Sequence, residues 1–232
     1  MARLPQNNEA FFREVDDEVR REQLATAARR YGVILAIVVV LALIALGGAL
    51  WWRSHRAALA GERGDQLVAA MASISSGRDA DAGKTLQALA GTGDQGYAPL
   101  ARMLQADMLV KNGKLPEAGK AFTAIADDAA VPQQLRDVAL LRATNLDFDK
   151  TAPQTVIDRL KPLAVTGNPW FGSAGEMTGI AYMKLGQPKQ AGAMFVAMTK
   201  DPTVPRSLRA RVAQLAADLG FEPVQAPDSP AS

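Results

Sequence analysis

The first residues in this chain whose types and spacing could do chemistry are paired carboxylates. Asp127 and Asp128 are adjacent, and Asp147 and Asp149 are separated by one residue. Two carboxyl groups held in different environments can share acid and base work. Both pairs fall at expected helix ends with no histidine close in sequence, which reads as solvated turn residues. His55 is the only histidine and lies between Arg53 and Arg56. A single histidine excludes a multi-histidine metal site, and its place beside an apolar run reads as an interfacial residue. There is no cysteine, which excludes disulfides, thiolate metal sites, a thiol nucleophile and a lipid-bearing cysteine. Gly91-Thr92-Gly93 lacks the Lys-Ser/Thr pair that a phosphate loop requires. Lys161-Pro162 and Lys184 stand alone, and Thr166-Gly167-Asn168-Pro169 reads as a turn. The expectation is a non-enzymatic protein with no catalytic, cofactor-binding or metal residues.

The elements that would carry these residues are helical. The chain of 232 residues contains 43 alanines, and alanine is the best helix former. Lys and Arg total 26 against 24 Asp and Glu, a net charge of +2. Nucleic-acid binding calls for a stronger basic balance.

A run of 22 residues without a charge, Tyr31 to Trp52, divides the chain. As a helix it extends about 33 Å, close to the hydrocarbon thickness of a bilayer. Tyr31 stands at one end and Trp51 and Trp52 at the other, where interfacial aromatics belong. Ala58-Leu59-Ala60 has the form of a cleavage site, but the run exceeds a signal peptide's apolar region and Arg53 and Arg56 follow it at once. The reading is a single-pass span. Arg20, Arg21, Arg29 and Arg30 outnumber Arg53, Arg56 and Arg63 across it, which favours a cytosolic N-terminus. Before the span, Phe12, Val15 and Val19 share one helical face, giving a short, partly helical tail over residues 1–30.

The remainder is a repeat. Shifted by 73, residues 111–136 match residues 184–209 at 11 of 26 positions, including Ala118-Gly119 on Ala191-Gly192 and Phe122 on Phe195. A shift of 36 places Gly77 on Gly113 and Ala82-Gly83-Lys84 on Ala118-Gly119-Lys120. Each unit of about 36 residues reads as a helix hairpin. Gly113 ends one helix and Pro116 starts the next. The unit at 134–170 keeps only the helix-loop-helix pattern, and a last helix at about 205–219 caps the stack. Ala118-Gly119 and Ala191-Gly192 are expected to let the two helices of a hairpin close, with Phe122 and Phe195 filling the wider gap. The fold class is all-α: span 31–52, repeat domain 53–220, and a disordered tail 221–232 rich in proline.

The alanine-to-aromatic spacing (Ala118/Phe122, Ala191/Phe195) and Gly179-Ile180-Ala181-Tyr182 resemble the tetratricopeptide repeat. The early tryptophan of that pattern is replaced by Arg102 and Gly175. The layout as a whole is similar to the bacterial ancillary subunit of the Sec translocon, and the segment Phe12 to Glu22 is similar to its alphaproteobacterial branch. That resemblance implies an inner-membrane protein with a periplasmic repeat domain. It implies as partners the translocon, the lipid bilayer and a membrane-anchored periplasmic chaperone, and in some members a part in envelope-stress signalling. The first helix of each unit is expected to line a concave partner-binding face. Leu100, Met103, Asp107, Val110 and Lys111 would stand there in the second unit, and Ser173, Glu176, Ile180, Met183 and Lys184 in the fourth. The alternatives are an envelope or division scaffold unconnected to export, and an enzyme or its dedicated subunit.

Overall fold

The computed structural model describes the backbone of residues 7–222 and the side chains of residues 31–222. The expected tail face of Phe12, Val15 and Val19 and the chain beyond residue 222 lie outside the described side chains. The described residues form nine helices and no strand. Two compact units divide between Glu62 and Arg63.

The first unit is carried by α1 (Asn7–Ser75). From Tyr31 onward this helix has a window of mean hydropathy 3.1 with none of it buried, and it is long and apolar enough to cross a membrane. At the end of the apolar stretch the Trp51 and His55 rings stack with centroids 5.5 Å apart. The Arg56 guanidinium lies 4.9 Å from the Trp52 ring centroid, a cation–π contact. His55 therefore belongs to an aromatic collar after the apolar run.

The second unit is a stack of helix hairpins. The last turns of α1 pair with α2 (Asp79–Ala90), and α3 (Tyr97–Lys111) pairs with α4 (Leu115–Ala126). Next come α5 (Gln133–Asp147) with α6 (Pro153–Leu160), and α7 (Phe171–Lys184) with α8 (Pro188–Lys200). Helix α9 (Arg206–Asp218) closes the stack on α8. The turn inside a hairpin follows from its glycine. Gly113 and Gly186 take φ of +74° and +70°, a region costly for any residue with a Cβ. The following residues then bond back across the helix end: Lys114 N–H donates to Leu109 O and Gln187 N–H to Tyr182 O. Pro116, Pro153 and Pro188 stand in the first turn of α4, α6 and α8, where a missing N–H costs nothing.

The third hairpin departs from the others because its sequence does. It has no glycine at the turn, and Phe148 continues in helical conformation (φ −50°, ψ −44°). Helix α6 has eight residues against twelve in α4, and Pro162 follows close behind its end. Helix α6 packs mainly on α7, with little contact to its own partner α5.

Each hairpin closes around a large side chain on its second helix. Leu86, Phe122, Leu160 and Phe195, each the eighth residue of its helix, are all buried, as are Ala82, Ala118, Val156 and Ala191 four residues before them. Phe122 shares its cluster with Ala106, and Leu86 shares one with Ala70. In the fourth unit the facing residue is Gly179. A Cβ there would stand 2.3 Å from the Phe195 ring. The close approach expected of Gly119 and Gly192 is thus made by Gly179 instead. Gly119 faces open space, with nothing within 4 Å of where a Cβ would stand. Gly192 lies under the ring of Phe221, 2.2 Å from where a Cβ would be.

The two equivalent glycines should therefore respond to alanine with opposite sign. Gly119→Ala removes backbone freedom from the unfolded chain at no steric cost and is expected to stabilise by about 0.5–1 kcal/mol. Gly192→Ala must expel or displace the Phe221 ring and is expected to destabilise by about 1–3 kcal/mol. Thermal unfolding of the full chain in detergent, followed by circular dichroism, distinguishes the two; shifts of the same sign would refute this account.

Candidate functional site

The first helices of successive hairpins are tied by ion pairs one repeat apart. Asp107 on α3 accepts from Arg142 on α5 at 2.5 Å, and Glu176 on α7 pairs with Arg211 on α9 at 2.7 Å. Lys184 on α7 reaches Asp149, after α5, at 2.7 Å and also lies 4.4 Å from the Phe148 ring centroid. All three pairs span 35 residues. Lys111 follows the same logic at the other end, meeting Asp79 at 2.8 Å and the Ile74 carbonyl at 3.2 Å. Asp147 is held by Arg159 at 2.9 Å and Asp128 by Arg102 at 2.6 Å. Three of the four carboxylates singled out in sequence, Asp128, Asp147 and Asp149, are paired in space by residues 12 to 35 positions away.

These pairs dispose of the charge on the face where the partner-binding residues were expected. Asp107, Lys111, Glu176 and Lys184 each face an opposite charge within the chain. Of the apolar candidates, Met103 and Val110 pack against the Phe122 cluster and Ile180 against the Phe195 cluster. Leu100 is half-buried, and Met183 is exposed.

A groove of about 330 Å³ opens on this face between α5 and α7. Helix α5 lines it with Val138, Leu141, Arg142 and Asn145; α7 contributes Ser173, Glu176 and Met177, and Trp170 stands just before α7. Trp170 is held by its backbone N–H, which donates to Asn168 Oδ1 at 2.8 Å. The groove thus joins apolar side chains and an amide, with Arg142 and Glu176 already engaged by Asp107 and Arg211. Such a surface suits an uncharged segment with aliphatic or aromatic side chains, and methionine adapts to varied shapes. Ser173 and Glu176 were legible as surface residues of α7. The repeat pattern does not single out Val138, Asn145, Trp170 or Met177. No local sequence signal marks them, because they meet only once α5 and α7 are set side by side, as the Lys184–Asp149 pair does. Among the described residues, no group of three His, Cys, Asp or Glu side chains could hold a metal ion.

The connections that lead into α3, α5 and α9 use an aspartate. Asp94 accepts the N–H groups of Tyr97 and Gly96, both at 2.8 Å, and pairs with Arg63 at 2.6 Å. Asp128 takes Arg102 and the Ala130 N–H. Asp201, only 1% exposed, accepts the Thr203 hydroxyl and N–H and, across the fold, the Gly167 N–H at 2.6 Å. All three carboxyls are held below the ordinary value of 3.8. The leading cause is the Tyr97 N–H for Asp94, the Arg102 side chain for Asp128 and the Thr203 hydroxyl for Asp201. A carboxyl whose pKa is lower folded than unfolded stabilises the fold fully above its unfolded pKa, and that contribution is lost as pH falls through the folded value. Stability should therefore decline as pH drops below about 4. Asp201→Asn should flatten that decline and lower stability at pH 7, as measured by thermal midpoints between pH 7 and 2. An unchanged acid slope would show that Asp201 does not contribute.

No curated protein and no solved structure matches the chain. A family model for the tetratricopeptide repeat-like domain matches residues 28–216. That span covers every hairpin and its turns, and with the repeat geometry above it shows that the chain belongs to the tetratricopeptide repeat-like domain family.

Proposed function

We propose that this protein is a membrane-tethered scaffold that binds other proteins through the face between α5 and α7, as an ancillary subunit of the bacterial Sec translocon. In this reading residues 31–52 span the inner membrane, residues 1–30 lie in the cytosol, and residues 53–220 form a periplasmic repeat domain that links the translocon to a membrane-anchored chaperone. The observation that carries it is an apolar stretch of α1 with none of its residues buried, in the same chain as a repeat stack with an open groove. Repeats of this family present surfaces for protein contact. The self-paired charges of the groove support a partner recognised by shape and apolar side chains. The arginine balance across the span supports the cytosolic N-terminus, and the segment Phe12 to Glu22 supports the translocon family.

A second reading, an envelope or division scaffold or a stress-signalling regulator, rests on the same surface with a different partner. In-cell photo-crosslinking from Asn145, Met177 and Met183 separates the two. Crosslinks to a translocon subunit or its anchored chaperone are the expected result. Crosslinks confined to division or signalling proteins would transfer the assignment to the second reading. External protease on spheroplasts should digest the repeat domain, and protection would overturn the orientation.

A further inference from the structure

The internal repeat supplies a comparison the chain makes with itself. The offset of 73 that superposes Gly119 on Gly192 also places Ala143 on Ala216, Leu146 on Leu219 and Phe148 on Phe221. The two glycines, their helices and the aromatic that follows the next helix are thus equivalent in sequence. They are not equivalent in space. Over Gly192 the Phe221 ring is seated so closely that a Cβ would meet it at 2.2 Å. Over Gly119 nothing lies within 4 Å of the same position, and a groove of about 540 Å³ opens there between α4 and the end of α5.

The cause is one residue. Gly220 takes φ +80°, and the Phe221 N–H returns to the Ala216 carbonyl at 2.9 Å, which throws the next side chain back onto α8. The equivalent of Gly220 is Asp147, which stays in α5. The chain remains helical through Phe148, whose ring goes forward to the third hairpin's cluster and beneath Lys184. The seat over Gly119 has kept its glycine and its floor, and has lost the ring that would cover it.

The lining fits a particular visitor. Leu115, Pro116, Thr123 and Leu146 supply apolar walls around Gly119. Lys120 and Lys150, both exposed, stand on the same lining. Of its two carboxylates, Asp147 is held by Arg159, which leaves Asp127 against two lysines. In the occupied copy the residue after the ring is Glu222, so the ring arrives with a carboxylate beside it. We propose that the groove over Gly119 is a docking site for a segment of another protein that presents an aromatic ring next to a carboxylate. This site lies on α4, apart from the α5–α7 groove, and does not rest on the translocon reading.

The test uses the full chain in detergent micelles with methyl-labelled leucine and alanine, titrated with a peptide of the sequence of residues 213–222, which ends in the ring and its carboxylate. A ring over Gly119 shifts nearby methyl signals upfield. The expected result is upfield shifts at Leu115, Ala124 and Leu146 with this peptide and none with its Phe→Ala form. Gly119→Leu fills the seat and should weaken binding at least tenfold, with helicity by circular dichroism unchanged. Lys120→Gln with Lys150→Gln should weaken it several-fold. The proposal is overturned if saturating peptide leaves these methyls unmoved, or if Gly119→Leu binds as well as the parent. It is equally overturned, in favour of a second copy as occupant, if the chain self-associates and both Gly119→Leu and Phe221→Ala abolish that association.

Discussion

The stack depends on a large side chain of each second helix seated against small residues of the first. Phe122 with Ala106 and Phe195 with Gly179 are the best-formed cases, and Leu86 with Ala70 is the smaller version. Truncating a buried phenylalanine costs about 3–5 kcal/mol, a large share of the stability of an ordinary domain. No hairpin of this size buries enough apolar surface alone, so each must also pack on the next. The seat therefore fixes two things together: how closely a hairpin closes, and the repeat length at which the next must begin. The turns, the connecting aspartates and the inter-repeat ion pairs all inherit that length.

Much of this was legible in the sequence, for a physical reason. Glycine in the left-handed region, proline in a first turn and alanine beside an aromatic are requirements of backbone and volume, and they hold wherever the local geometry recurs. Gly113, Gly186, Pro116 and Phe195 could accordingly be placed on turns, starts and core from the chain alone. The partners of Asp128, Asp149 and Lys184 could not. The first pairing depends on how a hairpin closes and the second on how one hairpin lies against another, and charges 26 or 35 residues apart carry no local signature until the register is known. The roles of Gly119 and Gly192 were also hidden, because the same residue at the same repeat position is open in one copy and covered in the other. What distinguishes them is Gly220 against Asp147, residues outside the stretch where the repeat is strongest.

The third hairpin bears the consequences of a weakened seat. It places Leu160 where its neighbours have phenylalanine and Val156 where they have alanine, lacks the turn glycine, and ends α6 before Pro162. Helix α5 is then left with little support from its own partner, and α6 leans on α7. The two grooves described above border α5, one toward α7 and one toward α4. Loss of the repeat signature and the appearance of accessible surface are one event at this point of the chain.

The energies of the two kinds of contact explain why such a stack can be stable and still receptive. The seated aromatics are fully desolvated, and their removal would be felt throughout the hairpin. The ion pairs across the first helices are partly exposed, and pairs of that kind contribute about 0–1 kcal/mol each. A partner entering beside Arg142 or Glu176 can exchange one such pair for another at little cost, while the packing beneath holds the backbone in register. The same pairs disfavour a partner whose recognition rests on a single charge, because Arg142, Lys184 and Arg211 each already have a carboxylate within reach. Selectivity on this surface must then come from shape and apolar area, the terms that a rigid, closely packed floor is best able to define.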